Sequence, residues 1–190
     1  EGGGWPTRLA DLGPAAPLCL WVRGAPRLDL VLDRSVAVIG ARACTSYGEH
    51  VTAELAGGAA AAGWTVVSGG AYGIDAAAHR AALASDGRTV AFLAGGIDRP
   101  YPAGNARLLR ALVDAGGAVI SEVPPGSVPS KVRFLQRNRL IAAVSRATVV
   151  VEAAWRSGAL NTASHAAALL RPVGAVPGPV TSAEIGRAHV

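Results

Sequence analysis

Long apolar runs are missing from this chain. No stretch approaches the ~20 residues that a bilayer-spanning helix needs, so no membrane partner is expected. Cysteine is scarce: Cys19 and Cys44 alone, with no basic-then-apolar leader ahead of them, argue against a disulfide scaffold and for a reducing compartment, by default the cytoplasm. Lysine is scarcer still, since of the 18 Lys and Arg residues only Lys131 is lysine. Metal-ligand spacing is also lacking, because His50, His79 and His165 stand at no ligating interval from one another or from the cysteines. No G-x-G-x-x-G follows any candidate strand, which tells against an ordinary dinucleotide site. Neither a metal nor a cofactor is therefore expected.

What is present points to one compact unit. The 190 residues are 51% hydrophobic with 24 Gly and 12 Pro, a balance that fits a globular fold rich in tight turns. The formal charge of +5 favours an acidic partner such as nucleic acid, but weakly, because Arg and Ala enrichment also follows from GC-rich coding. Short β-branched runs at 18–22, 36–39, 65–67, 89–93, 118–120, 148–151 and 173–176 alternate with Ala/Leu-rich helical stretches at 47–62, 72–84, 103–115, 135–144 and 159–169. Most of these runs lack period-two alternation, as expected of strands covered on both faces. The fold class read from this alternation is α/β: a mostly parallel, doubly wound sheet with helices on both faces, binding its ligand beyond the carboxyl ends of the strands. Residues 5–34 read as a lead-in carrying one strand and 35–183 as the core. Residues 184–190 break the pattern and read as a non-native tail, like a translated adapter sequence.

The loops at the strand ends carry the chemistry. After the second strand, Gly40-Ala41-Arg42 leads into a helix with Thr45 and Ser46 near its start, a turn that offers N–H groups to a phosphate or is simply capped by Ser46. After the third, Ser68-Gly69-Gly70 precedes Asp75, and the paired glycines permit close backbone approach or positive φ. Tyr101, in a Pro/Gly loop, stacks on a base or plugs the end of the core, and the packing role is favoured. Glu152 and the Ser157-Gly158 pair with Thr162 lie after the sixth strand, where Ser157 also reads as an N-cap. Cys44, beside Arg42, reads as a small buried residue. The most unusual segment runs from Phe134 to Ala142, where Arg137, Asn138 and Arg139 stand between apolar neighbours and suggest a cleft awaiting an anion.

Together these pieces resemble one family closely. Val36 to Arg42, Ser68 to Asp75, Gly95 to Asp98 with Tyr101, Pro102 and Asn105, Ser121-Glu122, Phe134 to Arg139, Glu152, Ser157-Gly158 with Thr162, and Val176 to Gly178 are similar to the DNA-processing protein A family, DprA, also called Smf. The resemblance implies an extended Rossmann-like core that binds single-stranded DNA, protects it, and loads the RecA recombinase during natural transformation without catalysing a reaction. It also implies a homodimer. The DNA-binding candidates carried by the motifs and loops are Gly40, Arg42, Ser68, Gly69, Gly70, Lys131, Arg137, Asn138, Arg139, Ser157, Gly158 and Thr162. Ala41 departs from the common Ser, and Tyr72 from the common Arg. The competing readings are a Rossmann-like nucleotide phosphoribohydrolase, whose Pro-Gly-Gly-x-Gly-Thr-x-x-Glu loop is missing, and a small-nucleotide sensor.

Overall fold

The computed structural model describes residues 4–154 and 157–178. Strands β1 (Trp21–Gly24), β2 (Ser35–Ile39), β3 (Thr65–Ser68), β4 (Thr89–Leu93), β5 (Ala118–Ser121), β6 (Ala147–Val150) and β7 (Val173–Ala175) form one sheet in the order β1-β5-β4-β3-β2-β6-β7. All neighbours pair in parallel except β1 with β5, which run antiparallel with Trp21 opposite Ser121. The expected mostly parallel α/β architecture is present.

Period two along β2 decides which helices lie where. Ala37 and Ile39 turn to one face and bury against Leu140 and Ile141 of α5 (Lys131–Val144) and Ala159 of α6 (Gly158–Ala168). Val38 turns to the other and meets α2 (Ser46–Ala61) and α3 (Ile74–Ala84) through Ala56, Ala60, Ile74, Ala78 and Ala82. On that second face α4 (Ala106–Asp114) covers Ala91, Leu93 and Val119 with Leu109 and Leu112. A strand buried on both sides has no reason to alternate in polarity, which is why Val36 to Ile39 read as a continuous apolar run. The lead-in packs into the same core as α5: Leu9 of the 3₁₀ segment Thr7–Ala15, and Leu28, Val31 and Leu32 around α1 (Leu28–Val31), are all buried there.

Three expected boundaries move, each for a local reason. The first strand is Trp21–Gly24 rather than 18–22, with Leu18 fully exposed, because the pairing with β5 runs from Trp21 to Gly24. Helix α3 starts at Ile74 rather than 72, since Gly73 takes φ +72°. Helix α5 starts at Lys131 rather than 135, because the Ser130 hydroxyl accepts from Arg133 N at 3.3 Å and caps an earlier turn. The expected tail at 184–190, like the end of the expected core, lies outside the described residues.

From β2 the chain runs outward through β3, β4 and β5, then crosses back to β6 and β7 on the other side. β2 is thus the point where the strand order reverses, and the crevice beyond its carboxyl end is where such a sheet leaves room for a ligand.

Candidate nucleic-acid interface

A cleft of about 760 Å³ opens at that point. Gly40, Ala41 and Arg42 line it from the loop after β2, Ala71 and Asp75 from beyond β3, Lys131, Phe134, Arg137 and Asn138 from α5, and residues 157–162 from the start of α6.

Two helix N-termini face this cleft with no acidic side chain in their first turns. At α5 the positive end of the helix carries Lys131 and Arg133, an arrangement that opposes the macrodipole and so favours a bound anion over helix stability. At α6, among the described residues, no side chain caps the helix and the buried Ser157 hydroxyl has no partner. The α2 terminus is different, because the protein supplies its own anion. The buried Glu152 carboxylate accepts from Thr45 N at 2.9 Å and from the Thr45 hydroxyl, while Thr45 Oγ1 accepts from Gly48 N at 3.1 Å. A Cβ on Gly48 would overlap that carboxylate. The cap of α2 is therefore Thr45 and not Ser46, and a carboxylate of the protein already sits at this terminus.

The candidate site residues divide into two groups. Gly40, Arg42, Lys131, Arg137, Asn138, Ser157, Gly158 and Thr162 all line the cleft. Arg42 and Lys131 are exposed, and the Arg42 guanidinium carbon lies 4.7 Å from the centroid of the Phe134 ring, a cation–π contact at the cleft wall. Thr162 is buried with its hydroxyl donating weakly to Gly158 O at 3.5 Å, and Asn138 Nδ2 donates to Gly158 O at 3.1 Å and to Asn161 Oδ1 at 3.2 Å, tying α5 to α6. Gly40 has room for no side chain between Ile74 and the Glu152 carbonyl.

Ser68, Gly69, Gly70 and Arg139 are not brought to the cleft. The buried Ser68 hydroxyl donates to Val38 O at 2.7 Å, and Gly70, at φ +70°, has its carbonyl bound by Asn105 Nδ2 at 3.0 Å. Arg139 is turned to the lead-in, where it pairs with Glu122 at 2.8 Å and donates to Ala15 O at 2.9 Å. A step of two residues along a helix turns the side chain by roughly 200°, so Arg137 and Arg139 cannot face the same way.

Arg137, although it lines the cleft, spends its donors inward. It is buried and gives Nη1 to Gly69 O at 2.8 Å and to Phe92 O, with its Nε left without a partner among the described residues. Burial lowers its pKa to about 10, a value that still leaves it cationic at neutral pH. Asp75 faces it, and burial pushes that carboxyl up against the opposing pull of Arg137 and the Ala71 N–H at 3.3 Å. A Cβ on Gly69 would collide with both groups. Gly69 is thus required by the Arg137–Asp75 pair beneath the cleft, and Gly70 by its positive φ. Burial raises the Cys44 thiol, the opposite of a reactive thiolate beside a cation. Tyr101 is 49% exposed and leans on Phe134 with ring centroids 6.1 Å apart, so it does not plug the core.

Phe134, Asp75 and Asn161 were not singled out as site residues from sequence. Phe134 was findable: an aromatic one helical turn beyond the only lysine shares its face.

Comparison with known proteins decides the family. The family model of DNA recombination-mediator protein A matches residues 2–189. The chain belongs to this family. A Mycobacterium tuberculosis protein described as a putative DNA processing protein DprA is 60% identical over 92% of this chain and 44% of its own length. Protein Smf of Escherichia coli is 41% identical over 86% of the chain and 43% of its own length. The chain thus spans about half the length of such relatives. Among solved structures, DNA processing protein A of Streptococcus pneumoniae superposes with a TM-score of 0.85 at 39% identity, covering 94% of this chain and 62% of that one. The Helicobacter pylori DNA processing protein A, whose structure was described for its single-stranded DNA binding mode, also gives 0.85, at 30% identity over 94% of this chain and 80% of that one. A molybdenum cofactor binding protein from Rippkaea orientalis, at 18% identity and a TM-score of 0.57, shares the fold alone.

Proposed function

We propose that this chain binds single-stranded DNA in the β2 cleft, through the sugar-phosphate backbone and without sequence selection. The observation that carries the reading is the convergence on one cleft of two helix N-termini free of acidic side chains, with Arg42 and Lys131 exposed at its wall. Arg42, Lys131, Ser157 and Gly158 contact the strand. Asn138, Arg137, Asp75 and the Gly69-Gly70 turn hold those contacts in place. Such a site has cations and N–H donors but few groups that read base edges, so affinity follows backbone charge and falls with salt. The solved relative described for single-stranded DNA binding supports the same ligand.

The role is binding and not catalysis. Glu152 caps α2 and Glu122 pairs with Arg139, so both of these strand-end carboxylates are engaged in holding the fold. Within the cell, we place the chain in the cytoplasm, protecting incoming single strands and handing them to RecA as a homodimer. The deciding experiment is titration of a labelled oligomer against the chain and its Arg42→Ala/Lys131→Ala variant. Binding of the single strand that the variant loses supports the reading, whereas preferential binding or cleavage of mononucleotides replaces it.

A further inference from the structure

Of the three tyrosines in the chain, one is tied down and two are not. Tyr47 donates its hydroxyl to Pro177 O at 3.0 Å. Tyr72 and Tyr101 are 51% and 49% exposed, and among the described residues neither hydroxyl has a partner. Both stand at the rim beyond the carboxyl ends of β3 and β4, beside the cleft. Tyr72 follows Ala71, which lines the cleft, and precedes Gly73, where a Cβ would overlap the carbonyls of Ala41 and Arg42. Its ring lies over Gly104, so that a Cβ there would come within 2.6 Å of the Tyr72 hydroxyl oxygen. Tyr101 stands three residues before Gly104 and leans on Phe134. Asn105 Nδ2 donates to Gly70 O and to Ala71 O, each at 3.0 Å, which ties the 3₁₀ turn Ala103–Asn105 to the loop carrying Tyr72. The two rings thus flank one anchored turn, next to the Arg42–Phe134 contact. Phe134 itself is already engaged by Arg42, by Tyr101 and by the Arg137 guanidinium carbon at 5.7 Å, so the open aromatic surface here belongs to the tyrosines.

Fold stability does not account for two half-open rings, because an aromatic side chain stabilises a fold through the area it removes from water. The cations of the cleft also leave one property of the site unexplained. Duplex DNA carries more charge per unit length than a single strand, so Arg42 and Lys131 by themselves do not favour the single strand. An exposed ring does. It stacks on the face of a base, which is open in a single strand and covered by the neighbouring pairs in a duplex.

We propose that Tyr72 and Tyr101 form a base-stacking subsite beside the cleft, and that this subsite, rather than the cations, gives the chain its preference for single strands over duplex. It rests on the cleft holding the strand's backbone, because the rings take the bases of nucleotides that leave the cleft past β3 and β4. Stacking tolerates any base, so the subsite lengthens the footprint without reading sequence.

The test titrates a single-stranded oligomer, its matched duplex and an abasic oligomer of the same length against the chain and against Tyr72→Ala/Tyr101→Ala, at two ionic strengths. The alanine variant is expected to lose single-strand affinity by at least about tenfold, to hold duplex affinity within about twofold, and to keep the salt slope and the melting temperature of the parent chain. On the parent chain the abasic oligomer should bind at least about tenfold more weakly than the full oligomer, and on the variant the two should bind alike. Tyr72→Phe/Tyr101→Phe, which keeps the rings, should restore the preference for the single strand. A ratio of single-strand to duplex affinity that survives the alanine substitutions overturns the proposal, since the width of the cleft would then exclude the duplex. So does the absence of any abasic penalty on the parent chain, a result that needs no variant to fold. A salt slope that falls in the alanine variant overturns it too, because the rings would then act by positioning Arg42 through Phe134. Arg42→Ala/Lys131→Ala binding the single strand as the parent chain does is a separate result, which removes the cleft reading and the subsite with it.

Discussion

Arg42 owes its position to Phe134, and Lys131 owes its to the first turn of a helix that would be better served by an acid. Both are predicted to contact phosphate, so Arg42→Ala and Lys131→Ala should each weaken binding of every single-stranded sequence about equally, as fluorescence anisotropy would show. A sequence-dependent loss would instead mean that bases are read. Arg139 makes the contrasting case, because its guanidinium is spent on Glu122 and Ala15. Its replacement by Ala should leave oligomer affinity within twofold and cost about 1–3 kcal/mol of stability in urea unfolding, as loss of a partly buried ion pair does. His79 supplies a pH signature. It is buried, its Nδ1 lies 2.6 Å from Thr89 Oγ1, which itself donates to Val66 O, and its Nε2 has no partner among the described residues, so burial lowers its pKa from 6.5 to about 3. The folded chain refuses a proton that the unfolded chain accepts. Its contribution is complete above the ordinary value of 6.5 and is lost as pH falls from there toward about 3, at up to ~1.4 kcal/mol per pH unit. Urea midpoints measured across that window should fall on acidification, and His79→Gln should flatten the fall.

At the scale of elements, the alternation of strands and helices was legible because each is short, strongly patterned and bounded by Gly or a cap. β2 and its neighbours read as apolar throughout, and that alone implied helices on both faces. The direction of individual side chains was less legible. Arg137 and Arg139 look equivalent in a linear string, yet one faces the sheet and the other the lead-in, a difference set by where Ser130 starts α5. The roles of Gly69 and Gly70 were hidden for a similar reason: what crowds Gly69 is a pair of charged groups, Asp75 and Arg137, distant in sequence from each other. Gly69→Ala is therefore expected to destabilise by several kcal/mol, as other disruptions of buried charged networks do, with a matching loss of soluble, folded chain in thermal melts. Glu152 was visible as a carboxylate at a strand end, but only the fold shows that it caps α2. Glu152→Ala should lower stability by about 1–2 kcal/mol, the usual cost of a lost cap, and an unchanged melting temperature would contradict that role.

For the molecule as a whole, the reversal of strand order at β2 fixes where the ligand cleft lies, and the charge placed around it fixes what the cleft favours. The chain spans about half the length of its relatives, and the handover to RecA and the homodimer are proposals that need their own tests. A RecA pull-down with single-stranded DNA present and absent would test the first, and sedimentation would test the second. The most direct check on the central claim is the salt dependence of binding. A labelled single-stranded oligomer and its matched duplex should be titrated at two ionic strengths, against the chain and against Arg42→Ala/Lys131→Ala. The single strand should bind more tightly than the duplex, and the double substitution should reduce the slope of log affinity against log salt by about 1.4, or ~0.7 per lost phosphate contact. An identical slope in the double variant would show that these two cations touch no phosphate, and the cleft would lose its claim to the strand.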